Sequence, residues 1–456
     1  MDTPLLSPAT ETCRTSETCR TVLPLPPSQD PNETNWIVPV NAIERQYWKN
    51  PSIYRVPATI TKLNPNAYRP QVVSFGPYHH NAVQLRPMEE HKNRARRHFL
   101  NRSRKTPEPF LESLREVARD LEESYDALDP KRQDGTGDHF LELMITDGCF
   151  MLEIMRIAVA VEEKKNGLAP SDPFFSNDYA PNDPIFSTHR LAYMTPYIKR
   201  DMLMLENQLP MLVLERLVAV ERDGKERESY IHELILKFHH LNTCVSGTGR
   251  FLHVMDVFRK GLLTPEKDQN GPDAGGDETI RSATELVEAG IHFQASDTPS
   301  LKDVSFGGGV LRLPVIKVDD ATESMFLNIM TFERLHIGAG TEVTSYVTFM
   351  DSIINNEGDV ALLHTHGIIQ SALGSDKAVA ELFNSLCKEV TLASNNSLAA
   401  VQKKISTFCG TRWHKWRAYL THTHFKNPWT IFSLIAAILL FAIAIIQTVY
   451  AVLAYY

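Results

Sequence analysis

Apolar positions recur along this chain with two different periods, and the change from one to the other divides it. In PFLESLREVARDLEESYDAL the apolar residues Phe110, Leu114, Val117, Ala118, Leu121, Tyr125 and Leu128 repeat every three or four positions, which predicts one amphipathic helix. HFLELMITDGCFMLEIMRIAVAVEE, His139 to Glu163, is apolar nearly all round, the pattern of a helix buried at the centre of a fold. RDMLMLENQLPMLVLERLVAVE is predicted helical too, with a kink or break at Pro210. Beyond residue 280 the period shortens. IHFQAS and VSFGGGVLRLPVIKV read as short strands joined by Gly-rich turns, and helices are expected over 323–336, 346–355 and 377–389.

These patterns set the expected organisation. Residues 1–40 form a Pro/Ser/Thr-rich disordered leader and 41–425 one globular domain. Within it, 41–165 is helical, 166–184 a Pro/Asn/Asp loop, 185–264 helical, 265–280 a disordered linker and 281–425 an α+β part. No repeat of solenoid length is present. The predicted fold class is mainly α with a small β element: a helical globular domain plus one C-terminal transmembrane helix.

That last element rests on WTIFSLIAAILLFAIAIIQTVYAVLAYY, Trp429 to Tyr456, which carries no charge. At ~1.5 Å per residue it exceeds the ~30 Å hydrocarbon core, so a span over 429–452 with a short tail at 453–456 is expected. A buried core helix is the plainer alternative. Trp429 at one end and Tyr450, Tyr455 and Tyr456 at the other suit interfacial anchors. Lys403, Lys404, Arg412, Lys415, Arg417 and Lys426 precede the span and nothing charged follows it, which places the bulk of the chain in the cytosol. The first residues lack an apolar signal region, so a tail anchor in the plasma membrane or an endomembrane is expected. The sequons at Asn32, Asn101 and Asn395 then go unused.

Composition adds limits. With 456 residues, 43% hydrophobic and 22% charged, most of the chain should fold. A net charge of −8 argues against whole-protein affinity for nucleic acid. The six cysteines form no C-x-x-C pair and suit a reducing compartment.

Three groups of residues invite chemistry. SFGPYHHNAVQLRPMEEHK brings His79, His80, Glu89 and His91 close in sequence, but without the H-E-x-x-H spacing of a zinc protease. A loop leading into a helix explains it more simply than a metal site. Lys92, Arg94, Arg96, Arg97, Arg102, Arg104 and Lys105 form a dense basic run. A solvated helix face paired with acidic neighbours is the plain reading, and docking on proteins or anionic lipid the functional one. Asp147, Glu153, Arg156, Arg200, Asp201 and Glu206 lie inside apolar helices, where charges are costly unless paired, so an internal ion-pair network is expected. The H-x-H pairs at His364/His366 and His422/His424 lack partners at ligand spacing. No P-loop, nucleophile elbow, dinucleotide fingerprint or kinase signature occurs. The chain reads as a non-enzyme with no cofactor.

Longer strings carry a resemblance. IYRVP, SFGPYHH with MEEHK, DGCFMLE, RDMLMLENQLP, SATELVEAGIHF, LRLPVIKVDDATESMFLNIMTFE, YVTFMDSIINNEGDVALLHTHGII, GSDKAVAELFNSL and NPWTIFSLIAAILL occur in this order. Together they closely resemble the land-plant family called domain of unknown function 247, over roughly residues 40 to 456. The resemblance implies an α-rich domain with a C-terminal membrane helix and no established catalytic activity. It also implies a role in recognition, since members are implicated in grass self-incompatibility. The expected function is therefore membrane-anchored recognition or signalling through protein partners. The alternatives are a membrane-tethered metal-dependent hydrolase built on His79, His80, Glu89 and His91, or a scaffold that self-associates into homo-oligomers.

Overall fold

The computed structural model describes residues 51–128, 137–169, 171–172, 175, 177–225, 229–241, 243, 250–264, 280–388, 397–410 and 428–455. The leader, nearly all of the 265–280 linker, Asn32, Asn395 and the basic residues from Arg412 to Lys426 lie outside them.

In chain order the helices of the first half are α1 (Ala58–Thr61), α2 (Arg86–Ser103), α3 (Glu108–Arg115), α4 (Ala118–Glu123), α5 (Gly137–Lys165), α6 (Thr188–Met202), α7 (Met211–Glu221), α8 (Tyr230–Phe238) and α9 (Val254–Leu262). Helix α10 (Ala283–Glu288) precedes β1 (His292–Ala295), β2 (Ser305–Gly307), β3 (Val310–Leu313) and β4 (Ile316–Val318). Then come α11 (Thr322–Leu335), α12 (Glu342–Ile353), α13 (Glu357–Thr365), β5 (Ile369–Ser371), α14 (Asp376–Leu386), α15 (Ala399–Gly410) and α16 (Pro428–Tyr455).

Mainly helical with a small sheet element is the architecture found. The sequence was expected to give one helix over 110–128, but Val117 leaves helical geometry (φ −119°, ψ 12°) and divides it into α3 and α4. Around Pro210 the break is wider than a kink. Helix α6 stops at Met202, and Leu203 to Pro210 run as irregular chain before α7 starts at Met211.

Helix α5 is the axis of the first core. Met144, Ile145, Cys149, Phe150, Leu152, Ile154 and Met155 are all buried, so its apolar faces are covered on several sides, as its sequence predicts. Gly148 permits the closest approach: a Cβ there would stand 2.5 Å from Leu217 Cδ1 of α7. The second core gathers α10 to α15 and the strands, with Tyr346, Phe326, Phe349 and Phe383 among its fully enclosed side chains.

Two small sheets belong to that second core. One has the order β1-β3-β2, with β1 parallel and β2 antiparallel to β3. The β2–β3 hairpin turns through Gly308 (φ 61°) and Gly309 (φ 80°), a two-residue loop whose positive φ values explain the glycine run. The other sheet pairs β4 with β5 in parallel. Helix α13 opens with a capping box, Asn356 with Asp359, and Asp359 Oδ1 also accepts from Thr284 N and Oγ1, tying α13 to α10.

The expected transmembrane helix requires a correction. The chain from Pro428 to Tyr455 is helical, and Phe432, Leu440, Phe441 and Tyr450 are exposed on it. However, among the described residues no helix is long and apolar enough to cross a membrane. Of the expected interface anchors only the Tyr450 side chain is described, and Trp429, Tyr455 and Tyr456 are not.

Candidate functional site

The polar residues of the motif strings meet around one irregular stretch of chain, residues 71–76, buried from Val73 to Gly76. Backbone N–H groups in such a stretch need acceptors, and among the described residues no strand pairs with it to supply them. Side chains from three other segments do so instead. The Asp201 carboxylate, at the end of α6, accepts from Gln71 N (3.0 Å), Val72 N (2.7 Å) and Val73 N (3.0 Å). Asn207 Oδ1 accepts from Phe75 N at 2.7 Å, while its Nδ2 donates to Val73 O at 3.0 Å. Asp147 Oδ2, on α5, accepts from Gly76 N at 2.9 Å. Gly76 has φ 70°, and a Cβ there would fall 2.7 Å from the Tyr125 hydroxyl, so this turn is closed to other residues.

The irregular segment after α6 reaches both cores. Gln208 Nε2 donates to Met202 O and Met204 O, and its Oε1 accepts from Met255 N of α9. Asn328 Oδ1 of α11 accepts from Leu205 N at 2.9 Å. Glu206 Oε1 accepts from Val56 N at 2.7 Å, and its Oε2 lies 3.3 Å from His79 Nε2.

Beneath the 71–76 stretch sits Lys92, whose side chain is completely buried. Its Nζ donates to Ser74 Oγ (3.0 Å) and Glu89 Oε1 (2.7 Å), and lies 2.8 Å from Asp147 Oδ1, an ion pair not aligned as a hydrogen bond. Burial is the main cause that pushes the Asp147 carboxyl up to about 6, opposed by Lys92 and helped by Glu89. The Ser74–Lys92 contact has the residue types of a serine–lysine nucleophile. Here the lysine Nζ donates to Ser74 Oγ, and Ser74 is fully enclosed while donating to Glu89 Oε1. The serine proton is thus directed at a carboxylate and away from the lysine, so this arrangement builds structure rather than a nucleophile.

A second network lies between α2, α5, α7 and α8. Arg102 grips Glu153 with both terminal nitrogens (2.6 and 2.9 Å) and reaches Asp178 at 2.8 Å. Tyr179 donates to Glu153 Oε2, and burial pushes its phenol far up. Arg156 forks onto Glu221 at 2.8 and 2.6 Å and donates to Tyr230 OH at 2.9 Å. Asp172 holds Tyr230 OH (2.6 Å) and Arg222 (2.5 Å). Beside this network opens a cleft of ≈450 Å³, with Val159, Leu168, Phe175, Asp172 and Tyr230 among its walls.

The expected site residues are distributed as follows. In the basic run, Lys92 is buried, Arg94 pairs with Asp183 at 2.7 Å, Arg102 with Glu153 and Lys105 with Asp223 at 2.5 Å. Arg96 donates to Thr146 Oγ1, and Arg97 and Arg104 are exposed. Of the six charges expected inside apolar helices, Glu206 lies instead in the irregular chain after α6, Glu153 and Arg156 approach at 3.9 Å, and Arg200 and Asp201 at 3.5 Å. Asp147 and Glu206 belong with Lys92 and His79 instead. His79, His80, Glu89 and His91 do not converge. His79 faces Glu206, the His80 ring stands 6.5 Å from that of His139, and Glu89 serves Lys92. Among the described residues no group of three or more His, Cys, Asp or Glu is placed to hold a metal ion.

Gln208, Glu221, Asp172 and Tyr230 were not singled out by sequence reasoning. A dense polar string in an apolar run, ENQLP, was the available signal for Gln208. Nothing local marks Glu221, which lies 65 residues from the arginine it holds.

The family model for DUF247, a plant protein of unknown function, matches residues 53–443. The chain is 28% identical over 453 residues to UPF0481 protein At3g47200 of Arabidopsis thaliana, covering 91% of this chain and 89% of that one. It is 21% identical over 525 residues to Putative UPF0481 protein At3g02645 of the same plant, covering 91% and 94%. No solved structure matches.

Proposed function

The chain belongs to the DUF247 family of plant proteins, and from that premise we propose that it is a non-enzymatic protein acting in recognition or signalling through contact with protein partners. One contrast carries this reading. The polar side chains of the motif strings are engaged in holding the 71–76 stretch, whereas Tyr193 and Tyr197 of α6 stand out to solvent. Their rings are 6.1 Å apart and 65% and 41% exposed. Exposed neighbouring tyrosines are what protein interfaces bury at their centres, since a tyrosine supplies large contact area at small entropic cost.

The test compares the full chain with a Tyr193→Ala/Tyr197→Ala variant by crosslinking in plant extract and quantitative mass spectrometry. Specific partners that crosslink to the wild type and are lost from the variant, at unchanged Tm, are expected. Partners that remain in full would remove this face from the reading. Turnover of a substrate by the purified chain would sink the reading itself.

A further inference from the structure

The cleft of ≈450 Å³ beside the Arg156 network has walls from α5, from α8 and from the chain that follows α5. Val159, Ala160, Glu163 and Lys164 come from the last turns of α5, and Tyr230, Leu234 and Lys237 from α8. Past Gly167, whose φ of 68° turns the chain, Leu168, Ser171, Asp172 and Phe175 supply the rest. These walls are fastened to one another. Ser171 N donates to Glu163 Oε2 at 2.8 Å, and Lys237 Nζ donates to Glu163 Oε1 at 3.2 Å. Asp172 Oδ2 accepts from Tyr230 OH at 2.6 Å and from Arg222 at 2.5 Å. Closing the cleft would break these bonds, so it stands pre-formed, as ligand sites generally do.

Two properties of the lining select an occupant. The first is its apolar surface. Val159 and Leu234 are buried, Phe175 is half-buried with the Arg102 guanidinium 4.6 Å over its ring, and Leu168 is 61% exposed. A large aliphatic side chain left in water beside a concave apolar surface gains by being covered.

The second property is charge. The lining carries three cations, Arg156, Lys164 and Lys237, and three carboxylates, Glu163, Asp172 and Glu233. Arg156, the buried cation, is met by Glu221 at 2.8 and 2.6 Å, and Lys164 stands out in water. An ionised ligand would therefore give up hydration without meeting a buried opposite charge that lacks a partner. Asn177 Oδ1 accepts from Tyr179 N, which leaves its amide nitrogen to donate at the edge of the cleft.

From this lining we propose that the cleft binds a small uncharged, mostly apolar organic molecule bearing one carbonyl or hydroxyl oxygen. Its volume falls within the ~300–1,000 Å³ of small-molecule sites. The apolar body lies against Val159, Leu168, Phe175 and Leu234, and the oxygen accepts from Asn177. The site stands independently of the protein-contact reading, since neither Tyr193 nor Tyr197 lines it.

Benzophenone has this chemistry, and on irradiation it inserts into neighbouring C–H bonds. The full chain is irradiated with benzophenone, with its carboxylate 4-benzoylbenzoate or with a 4-benzoylbenzyl trimethylammonium salt, and adducts are mapped by peptide mass spectrometry. Saturable benzophenone labelling is expected on the peptides holding Leu168, Phe175 and Leu234. Each ion should label them ~10-fold less at equal concentration, because its charge leaves water unpaired. Ala160→Trp fills the cleft from a half-buried position and should remove this labelling at unchanged Tm. Leu168→Ser, at an exposed position, should weaken it, while labelling of the exposed α16 stays constant in both variants. Labelling of the cleft peptides that fails to saturate, that persists in full in both variants, or that is equalled by either ion would overturn the proposal.

Discussion

Lys92 Nζ lies 2.8 Å from Asp147 Oδ1, with both side chains fully shielded from water and 54 residues between them in the chain. This pair joins α2 to α5 directly beneath the turn at Gly76, whose N–H the same carboxylate accepts. An isolated buried charge is expensive, so the two are stable only together.

Removing the cation should therefore cost more than removing the pair. Lys92→Met leaves Asp147 buried opposite no charge, and a loss of about 3–5 kcal/mol is expected. Adding Asp147→Asn to it keeps an oxygen for Gly76 N while removing the charge. The double variant should then be more stable than Lys92→Met alone, as read by urea denaturation. A double variant weaker than the single would show that the coupling has been misassigned.

The same carboxyl gives the pH dependence a defined sign. Its folded value, about 6, lies above its ordinary 3.8, so the folded state binds this proton more readily than the unfolded chain does. The resulting stabilisation is complete below about pH 3.8 and is lost as pH rises through 6, amounting to about 2–3 kcal/mol. Between pH 4 and 7 the stability of Asp147→Asn relative to wild type should rise with pH by that amount. A difference that stays level across the range would show that Asp147 titrates normally.

Asp201 bears on the fold more than on any surface. Asp201→Ala strips three backbone donors, Gln71, Val72 and Val73, of their acceptor. An orphaned buried donor costs about 1–3 kcal/mol, and of the three only Val73 is buried, so a loss of about that size is expected, with exposed Gln71 adding little. Asp201→Asn retains one oxygen and should lose less. Amide hydrogen exchange at 71–73 should accelerate in both variants, and unchanged protection would refute the assignment.

Gly148 should tolerate no side chain while Leu217 remains. Gly148→Ala places a Cβ 2.5 Å from Leu217 Cδ1, and overpacking of this kind costs about 1–3 kcal/mol. Leu217→Ala makes room for the new methyl, so the two substitutions together should cost less than the sum of their separate effects. Strict additivity in thermal denaturation would mean that the helices do not meet there.

Much of the fold was legible because it follows from local rules. The helix expected over 323–336 is α11, Thr322–Leu335, and the glycine run at 307–309 makes the β2–β3 turn, since two positive φ values demand glycine. The single helix expected over 110–128 fails at Val117, where apolar spacing continues through a break that periodicity does not register. The C-terminal apolar string misled for a different reason: hydropathy and length along the sequence speak for a span, while the described residues contain no helix that meets both conditions.

The candidate site was legible in composition but not in pairing. That charges inside apolar helices need partners follows from desolvation alone, and on that ground Asp147, Glu153, Arg156 and Asp201 stand out in the sequence. Helical spacing specifies only the face from which each side chain leaves its helix. Glu153 stands three residues before Arg156 in the sequence, yet its close ion pair is with Arg102, 51 residues away, while Arg156 turns to Glu221. The sequence by itself determined that these charges are buried and require compensation. Which cation meets which carboxylate was decided by how α2, α5 and α7 cross, because a charge-assisted hydrogen bond needs its atoms within about 3 Å and only helix packing sets such distances between segments far apart in the chain.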